Sequence, residues 1–199
     1  MQTLDFYFDI YSPYAYLGFH RLLGIAADCN CRINYQPVDL PHLKKAAGNT
    51  GPANIEIPPK IRYLLTDLKR WAKRYQLPFG DIPKGKDYSR INKGVFYAVH
   101  KEVADKYIAE AYALVWGRGG CADDDAELKK LATTMAWDED DFMQYLVSSK
   151  AEQAFEDSNQ QAIERGVFGV PTVMLGDDMW WGNDRLMFLE EHLRTLARS

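Results

Sequence analysis

Three short segments hold residue types whose spacing could do chemistry. Ser12-Pro13-Tyr14-Ala15 sets a hydroxyl directly before a proline suited to the first turn of a helix. A serine there has two uses that local sequence leaves open. It can cap the helix, or it can donate a hydrogen bond to a bound thiolate, an anion that the positive end of the helix also favours. Val170-Pro171-Thr172 places a proline at the head of a strand, after a glycine-rich turn. A cis bond there would expose the backbone N–H and C=O of Val170 for pairing with an extended peptide; a trans proline that merely starts the strand is the alternative. Trp180-Trp181-Gly182-Asn183-Asp184-Arg185 puts Asn and Asp at a helix start, where free N–H groups can take a carboxylate. Its paired tryptophans are either core or an aromatic wall.

Other chemistry finds little support. His20, His42, His100 and His192 lack metal-ligand spacing, and Cys29, Cys31 and Cys121 fit no zinc pattern, so no metal is expected. Asp9 lies near Ser12, but there is no Ser-His-Asp signature and no nucleophile elbow.

The elements that must position these groups follow from periodicity. Leu4 to Ile10 alternates as a strand, Ser12-Pro13 opens a helix through Tyr14, Leu17, Leu22 and Ile25, and Arg32 to Val38 reads as a second strand. This β-α-β start implies a parallel pair. Asp39 to Pro59 reads as a loop rich in Gly, Pro and Asn. Lys60 to Arg165 reads as mostly helical, with a first stripe over Ile61, Leu64, Leu65, Leu68, Trp71, Ala72 and Tyr75. Further stripes run near 89–104, 107–116, 124–135, 138–147 and 150–165. The chain closes with a hairpin, Thr172 to Leu175 and Met179 to Trp181, and a final helix that Asn183 or Asp184 can cap. A β-α-β unit and a β-β-α unit sharing one sheet make an α/β, thioredoxin-like fold. Residues 1–40 and 166–199 would form that domain, and 41–165 a loop and a large inserted all-helical subdomain. A redox Cys-x-x-Cys would occupy positions 12 and 15 in this layout. Here they are Ser12 and Ala15, so disulfide exchange by that route is not available.

The 199 residues suit one domain, and 47% hydrophobic with 26% charged residues argues against disorder. No apolar run approaches the roughly 20 residues of a membrane span. The first nine residues lack a signal-peptide pattern and the cysteine count is odd, which together suggest a mature cytoplasmic protein. Residues 41–101 carry thirteen Lys/Arg against four Asp/Glu, and residues 121–164 carry twelve acids against three bases. These are either two solvated faces, facing one another, or a basic segment that draws in a small anion. No nucleic-acid recognition motif accompanies the basic segment.

Taken in order, several motifs resemble one family. They are Asp5-Phe6-Tyr7-Phe8-Asp9, Ser12-Pro13-Tyr14-Ala15-Tyr16-Leu17, Gly48-Asn49-Thr50-Gly51-Pro52-Ala53-Asn54, Asp67-Leu68-Lys69-Arg70-Trp71-Ala72, Val167-Phe168-Gly169-Val170-Pro171-Thr172 and Trp180-Trp181-Gly182-Asn183-Asp184-Arg185-Leu186. Over nearly the whole chain the sequence is similar to the kappa-class glutathione transferases and, more closely, to the bacterial 2-hydroxychromene-2-carboxylate isomerases of naphthalene catabolism. The doubled tryptophan favours the isomerases. The resemblance implies a DsbA- or kappa-type thioredoxin-like fold, usually a homodimer, with reduced glutathione as cofactor. It implies interconversion of 2-hydroxychromene-2-carboxylate and trans-o-hydroxybenzylidenepyruvate, so the substrate would be a small aromatic carboxylate, and neither nucleic acid nor membrane a partner. Ser12 matches the family's serine beside the glutathione sulfur. Val170, with Pro171, matches the residue whose backbone pairs with the cysteinyl part, and Trp181, Gly182, Asn183 and Asp184 match the segment at the γ-glutamyl end. Lys44, Asn54, Ile55 and Tyr88 match positions lining the substrate site, and Asn49 and Lys60 resemble glutathione contacts. A kappa-like transferase, a thiol-disulfide oxidoreductase and a non-catalytic glutathione- or peptide-binding module are the competing readings. The missing thiols at 12 and 15 speak against the second.

Overall fold

A computed structural model of the chain describes residues 1–83 and 85–197. Strand β1 (Thr3–Phe8) leads through a tight turn into α1 (Pro13–Asp28), and β2 (Arg32–Pro37) returns parallel to β1 with Tyr35 opposite Phe6. After the helical region, β3 (Thr172–Leu175) pairs antiparallel with β1 and β4 (Asp178–Trp181) antiparallel with β3. The sheet order is β2-β1-β3-β4. This is the expected α/β, thioredoxin-like arrangement.

The two-residue period of β1 sends alternate side chains to opposite faces. Phe6 and Phe8 face α1, where Phe6 stacks on Phe19 with ring centres 6.4 Å apart. Asp5 and Tyr7 face the other way, where Arg165 donates to Asp5 Oδ2 at 2.5 Å and to the Tyr7 hydroxyl at 3.1 Å. Both faces are covered, so Leu4, Phe6, Tyr7 and Phe8 are all fully buried.

Residues 41–165 hold α3 (Pro58–Tyr75), α4 (Ser89–His100), α5 (Ala104–Tyr112), α6 (Asp125–Thr134), α7 (Glu139–Leu146) and α8 (Ser149–Glu164). The stripe expected over 89–104 is split because Glu102 takes a left-handed conformation, φ 57°, between α4 and α5. The helices share one core with the sheet: α4 and α8 pack on β2, and Tyr112 lies 6.3 Å from Phe8. A π-helical turn, Ala113–Gly117, follows α5.

Two expectations need correction. The stretch 39–59 contains a helix, α2 (Leu40–Ala46), and a 3-10 turn, Asn54–Glu56. Asp39 caps α2 by accepting from His42 N–H at 2.9 Å, and Pro41 sits in its first turn. Seven residues are too few to show a helical period, so the glycines that follow dominate the pattern. The final helix, α9 (Leu186–Leu196), is capped by neither Asn183 nor Asp184. Both lie in a 3-10 turn, Asn183–Arg185, that precedes it, and Asp184 instead pairs with Arg185.

Candidate active site

Ser12 is the N-cap of α1 and is only 4% exposed. Its Oγ accepts from Ala15 N–H at 3.2 Å. That bond uses a lone pair and leaves the hydroxyl proton available, so capping and donation to an anion are compatible. The first turn of α1 has no acidic residue to neutralise its positive end.

The turn that delivers Ser12 is braced from every side. Ser12 N–H donates to the Asp9 carbonyl at 2.9 Å, and Trp116 Nε1 donates to the Ile10 carbonyl at 2.9 Å. Asp9 is buried, and burial pushes its carboxyl up to about 6 against the hydrogen bonds it accepts from Asn92, Leu40 and Tyr11.

The Val170-Pro171 peptide is cis. Val170 makes no backbone hydrogen bond among the described residues, while the turn around it is closed by Thr172 Oγ1 donating to the Gly169 carbonyl at 2.7 Å. Gly182 N–H donates to the Pro171 carbonyl at 2.8 Å, tying the end of the hairpin to the proline. Gly182 holds φ at +99°, a conformation that favours glycine. Helix α1 completes the junction. A Cβ on Gly18 would lie 3.1 Å from Pro171 Cγ and 3.7 Å from Asn183 Cβ, so this glycine lets α1, the proline turn and Asn183 close up. The three segments singled out in the sequence therefore meet on α1.

The paired tryptophans divide between the two readings. Trp180 is partly buried against His192, ring centres 5.4 Å apart. Trp181 is 48% exposed and stands edge-on to Phe168 at 4.9 Å, an aromatic wall. Its Nε1 passes so close to Gly169 that a Cβ there would come within 2.9 Å. Asn183 is 3% exposed, and its Nδ2 makes no hydrogen bond of normal geometry, although the Tyr75 hydroxyl is nearby. Tyr14, two residues after Ser12, donates from its hydroxyl to Asp67 Oδ2 at 2.8 Å.

Lys44, in the last turn of α2, is half-buried and has no carboxylate partner among the described residues; burial lowers its pKa. Other members of the basic segment are paired with the acidic one: Arg90 with Asp125 at 2.6 Å, and the buried Lys93 with Glu152. Two ion pairs thus link the charged segments, and Lys44 belongs to neither. Asn54 and Ile55 are exposed, and Asn54 Oδ1 accepts from Lys60 Nζ at 3.3 Å. Tyr88 is buried with its ring 5.1 Å from Tyr11. Burial raises the Tyr11 hydroxyl, with smaller contributions from Asp9 and Glu56. Tyr11 thus joins the Ser12 turn to Tyr88. Sequence reasoning passed over Tyr11, Asn92 and Trp116. The available signal was Asn92, an amide within the apolar stripe of α4 beside Ile91 and Val95.

Among the described residues no group of three or more His, Cys, Asp or Glu could hold a metal ion, and all three cysteines are free thiols. No helix among them is long and apolar enough to cross a membrane.

Comparison with known proteins matches residues 3–194 to the DSBA-like thioredoxin domain. A 2-hydroxychromene-2-carboxylate isomerase of Pseudomonas putida is 40% identical over 98% of this chain and 96% of its own length. The solved structure of a 2-hydroxychromene-2-carboxylate isomerase superposes with a TM-score of 0.93 at 39% identity, covering 98% of this chain and 96% of that one. Glutathione S-transferase kappa 1 of Rattus norvegicus is more distant, 25% identical over 94% of this chain and 89% of its own. The buried serine cap, the cis-proline turn and the Trp-Trp-Gly-Asn-Asp hairpin end thus lie in a chain that belongs to the DsbA-like thioredoxin family and, within it, to the 2-hydroxychromene-2-carboxylate isomerases.

Proposed function

We propose that this chain interconverts 2-hydroxychromene-2-carboxylate and trans-o-hydroxybenzylidenepyruvate with reduced glutathione as its cofactor. The observation that carries the reading is the full-length match to isomerases of that name, with a buried serine where a redox protein of this layout would keep its cysteine. The relationship to glutathione S-transferase kappa supports the cofactor.

The groups available on the protein suit glutathione. The Ser12 hydroxyl proton is free for a thiolate and the Val170 backbone for a cysteinyl residue, and the buried Asn183 amide lies within the segment matched to the γ-glutamyl end, with the Tyr75 hydroxyl nearby. When bound, glutathione supplies a thiolate that adds reversibly to a carbon conjugated with a ketone, which turns a double bond into a rotatable single one. The protein's part is to hold and polarise. Ser12 and the positive end of α1 stabilise negative charge at sulfur. Lys44, unpaired and half-buried, offsets the substrate carboxylate at little cost, since no internal ion pair must break. Asn54, Ile55 and Tyr88 line the substrate side, where Tyr88 reaches the Ser12 turn through Tyr11. The same proposal includes a homodimer in the cytoplasm, a setting that three free cysteines support.

The test is an ultraviolet assay of the chromene acid on protein freed of all thiols, with and without added glutathione. Turnover that depends on glutathione supports the reading; full-speed isomerisation without any thiol overturns the cofactor. Conjugation of a generic electrophile with no turnover of the chromene acid would favour a transferase instead.

A further inference from the structure

Asp9 is the one acidic residue in the buried set among the described residues, and its carboxylate serves two parts of the fold at once. Oδ1 accepts from Tyr11 N–H at 2.9 Å and from Asn92 Nδ2 at 2.7 Å. Oδ2 accepts from Leu40 N–H at 2.9 Å. Asn92, itself 1% exposed, turns its Oδ1 to Ile10 N–H at 3.1 Å. The first set of bonds fixes residues 9–12 and so the position of the Ser12 hydroxyl. The second fixes the first residue of α2. Lys44 lies four residues beyond Leu40, one turn along the same helix face.

We propose that Asp9 is a positioning residue: one buried carboxylate holds the Ser12 turn and the start of α2 in a fixed relation, and thereby keeps the hydroxyl that faces the thiol and the ammonium that faces the substrate carboxylate at a set separation. The inference rests on the glutathione-dependent reading above. The geometry uses both oxygens of Asp9 as acceptors. An amide in its place offers one oxygen, so either the Leu40 side or the Tyr11 and Asn92 side is left with donors facing donors.

The experiment compares the full-length wild type, Asp9→Asn and the exchange Asp9→Asn with Asn92→Asp. In the exchange the residue-9 amide donates to the new carboxylate, which still accepts from Ile10 N–H, while its oxygen still accepts from Leu40 N–H. Only Tyr11 N–H loses its partner. Melting temperature, calorimetric glutathione affinity without substrate, and kcat and KM for the chromene acid are measured where all three proteins are folded. Asp9→Asn should lose roughly 10- to 100-fold in kcat/KM, since displacement of a catalytic group by about 1 Å costs that much, with KM raised and glutathione bound several-fold more weakly. The exchange should recover most of both losses. A single variant with wild-type kcat, KM and glutathione affinity but a lower melting temperature would overturn the proposal, as would an exchange no better than the single variant at equal stability. Should Asp9→Asn fail to fold, the exchange against wild type decides: activity within about tenfold supports the proposal, and a folded, inactive exchange overturns it. A wild type that needs no glutathione defeats the functional reading instead, a separate outcome.

Discussion

Replacing Ser12 by Ala removes the helix cap seen in the structure and, on the proposed reading, the donor to the glutathione thiolate. The first is the cap on Ala15 N–H, worth about 1 kcal/mol, which on a chain of this length lowers the melting temperature by about 2–4 °C. No water can replace it easily, because Ser12 is 4% exposed. The second is a donor to a charged acceptor, worth about 1.5–3 kcal/mol. At about 1.36 kcal/mol per pH unit, the bound thiol should ionise roughly one to two units higher. At pH values below the wild-type thiol pKa, turnover should then fall roughly 10- to 100-fold, and the loss should vanish as pH rises past the shifted pKa. Ser12→Gly separates the two effects, since glycine keeps all but a few tenths of a kcal/mol of the cap yet has no hydroxyl. The assay is a pH profile of kcat/KM alongside the ultraviolet absorbance of the bound thiolate. A loss of equal size at every pH, or an unshifted thiolate titration, would refute the assignment of Ser12 as the thiolate's partner.

Lys44→Ala should raise KM for the chromene acid by about tenfold or more while glutathione affinity and melting temperature stay near wild type, because the ammonium has no internal partner to lose; equal losses for both ligands would make it a structural or cofactor contact. Gly18→Ala drives a methyl to 3.1 Å from Pro171 Cγ, so calorimetry should show weaker glutathione binding, with about 1–3 kcal/mol less stability by urea unfolding. Gly94→Ala would set a Cβ 2.0 Å from the hydroxyl of buried Tyr107, which donates to the Ile91 carbonyl at 2.8 Å; that hydrogen bond must break, and little folded protein should be recovered at growth temperature. Asp9 makes a prediction about pH. Its carboxyl is raised from 3.8 to about 6, chiefly by burial and in smaller part by Asp39, so the native state holds a proton there that the unfolded chain has released. This group's contribution is therefore fully present below about pH 4 and is lost as pH rises through about 6, by up to about 3 kcal/mol. Urea titrations of wild type and Asp9→Asn from pH 4 to 7 should show the stability difference drifting in that sense; a constant difference would contradict the raised carboxyl.

Local pattern carried much of this molecule. Ser12-Pro13 is a helix start wherever it is met in such a context, because the side chain accepts from the N–H three residues on and proline supplies the required φ. The stripe through Leu68 and Ala72 became a helix for the same kind of reason: a 3.6-residue period leaves one face to bury. The hairpin and the parallel pairing of β1 with β2 also followed from period and turn chemistry. Helix α2 did not, since seven residues show no period, and the cap assigned to Asn183 or Asp184 was lost to a 3-10 turn that glycine at φ +99° introduces.

What the tertiary structure alone decided is which of these groups act together. Asp9 and Asn92 are 83 residues apart and meet through a hydrogen bond that no local window contains. The two-residue period of β4 put Trp180 and Trp181 on opposite faces, but only the packing of His192 on one side and Phe168 on the other made the second of them the wall. Lys93 is buried with Glu152 of α8 as its partner, while Lys44, half-buried on α2, has no carboxylate partner among the described residues. Backbone preference and hydrophobic period act over a few residues, so sequence could specify elements; desolvation and the pairing of buried polar groups depend on neighbours distant in the chain, so only the folded molecule could specify the site.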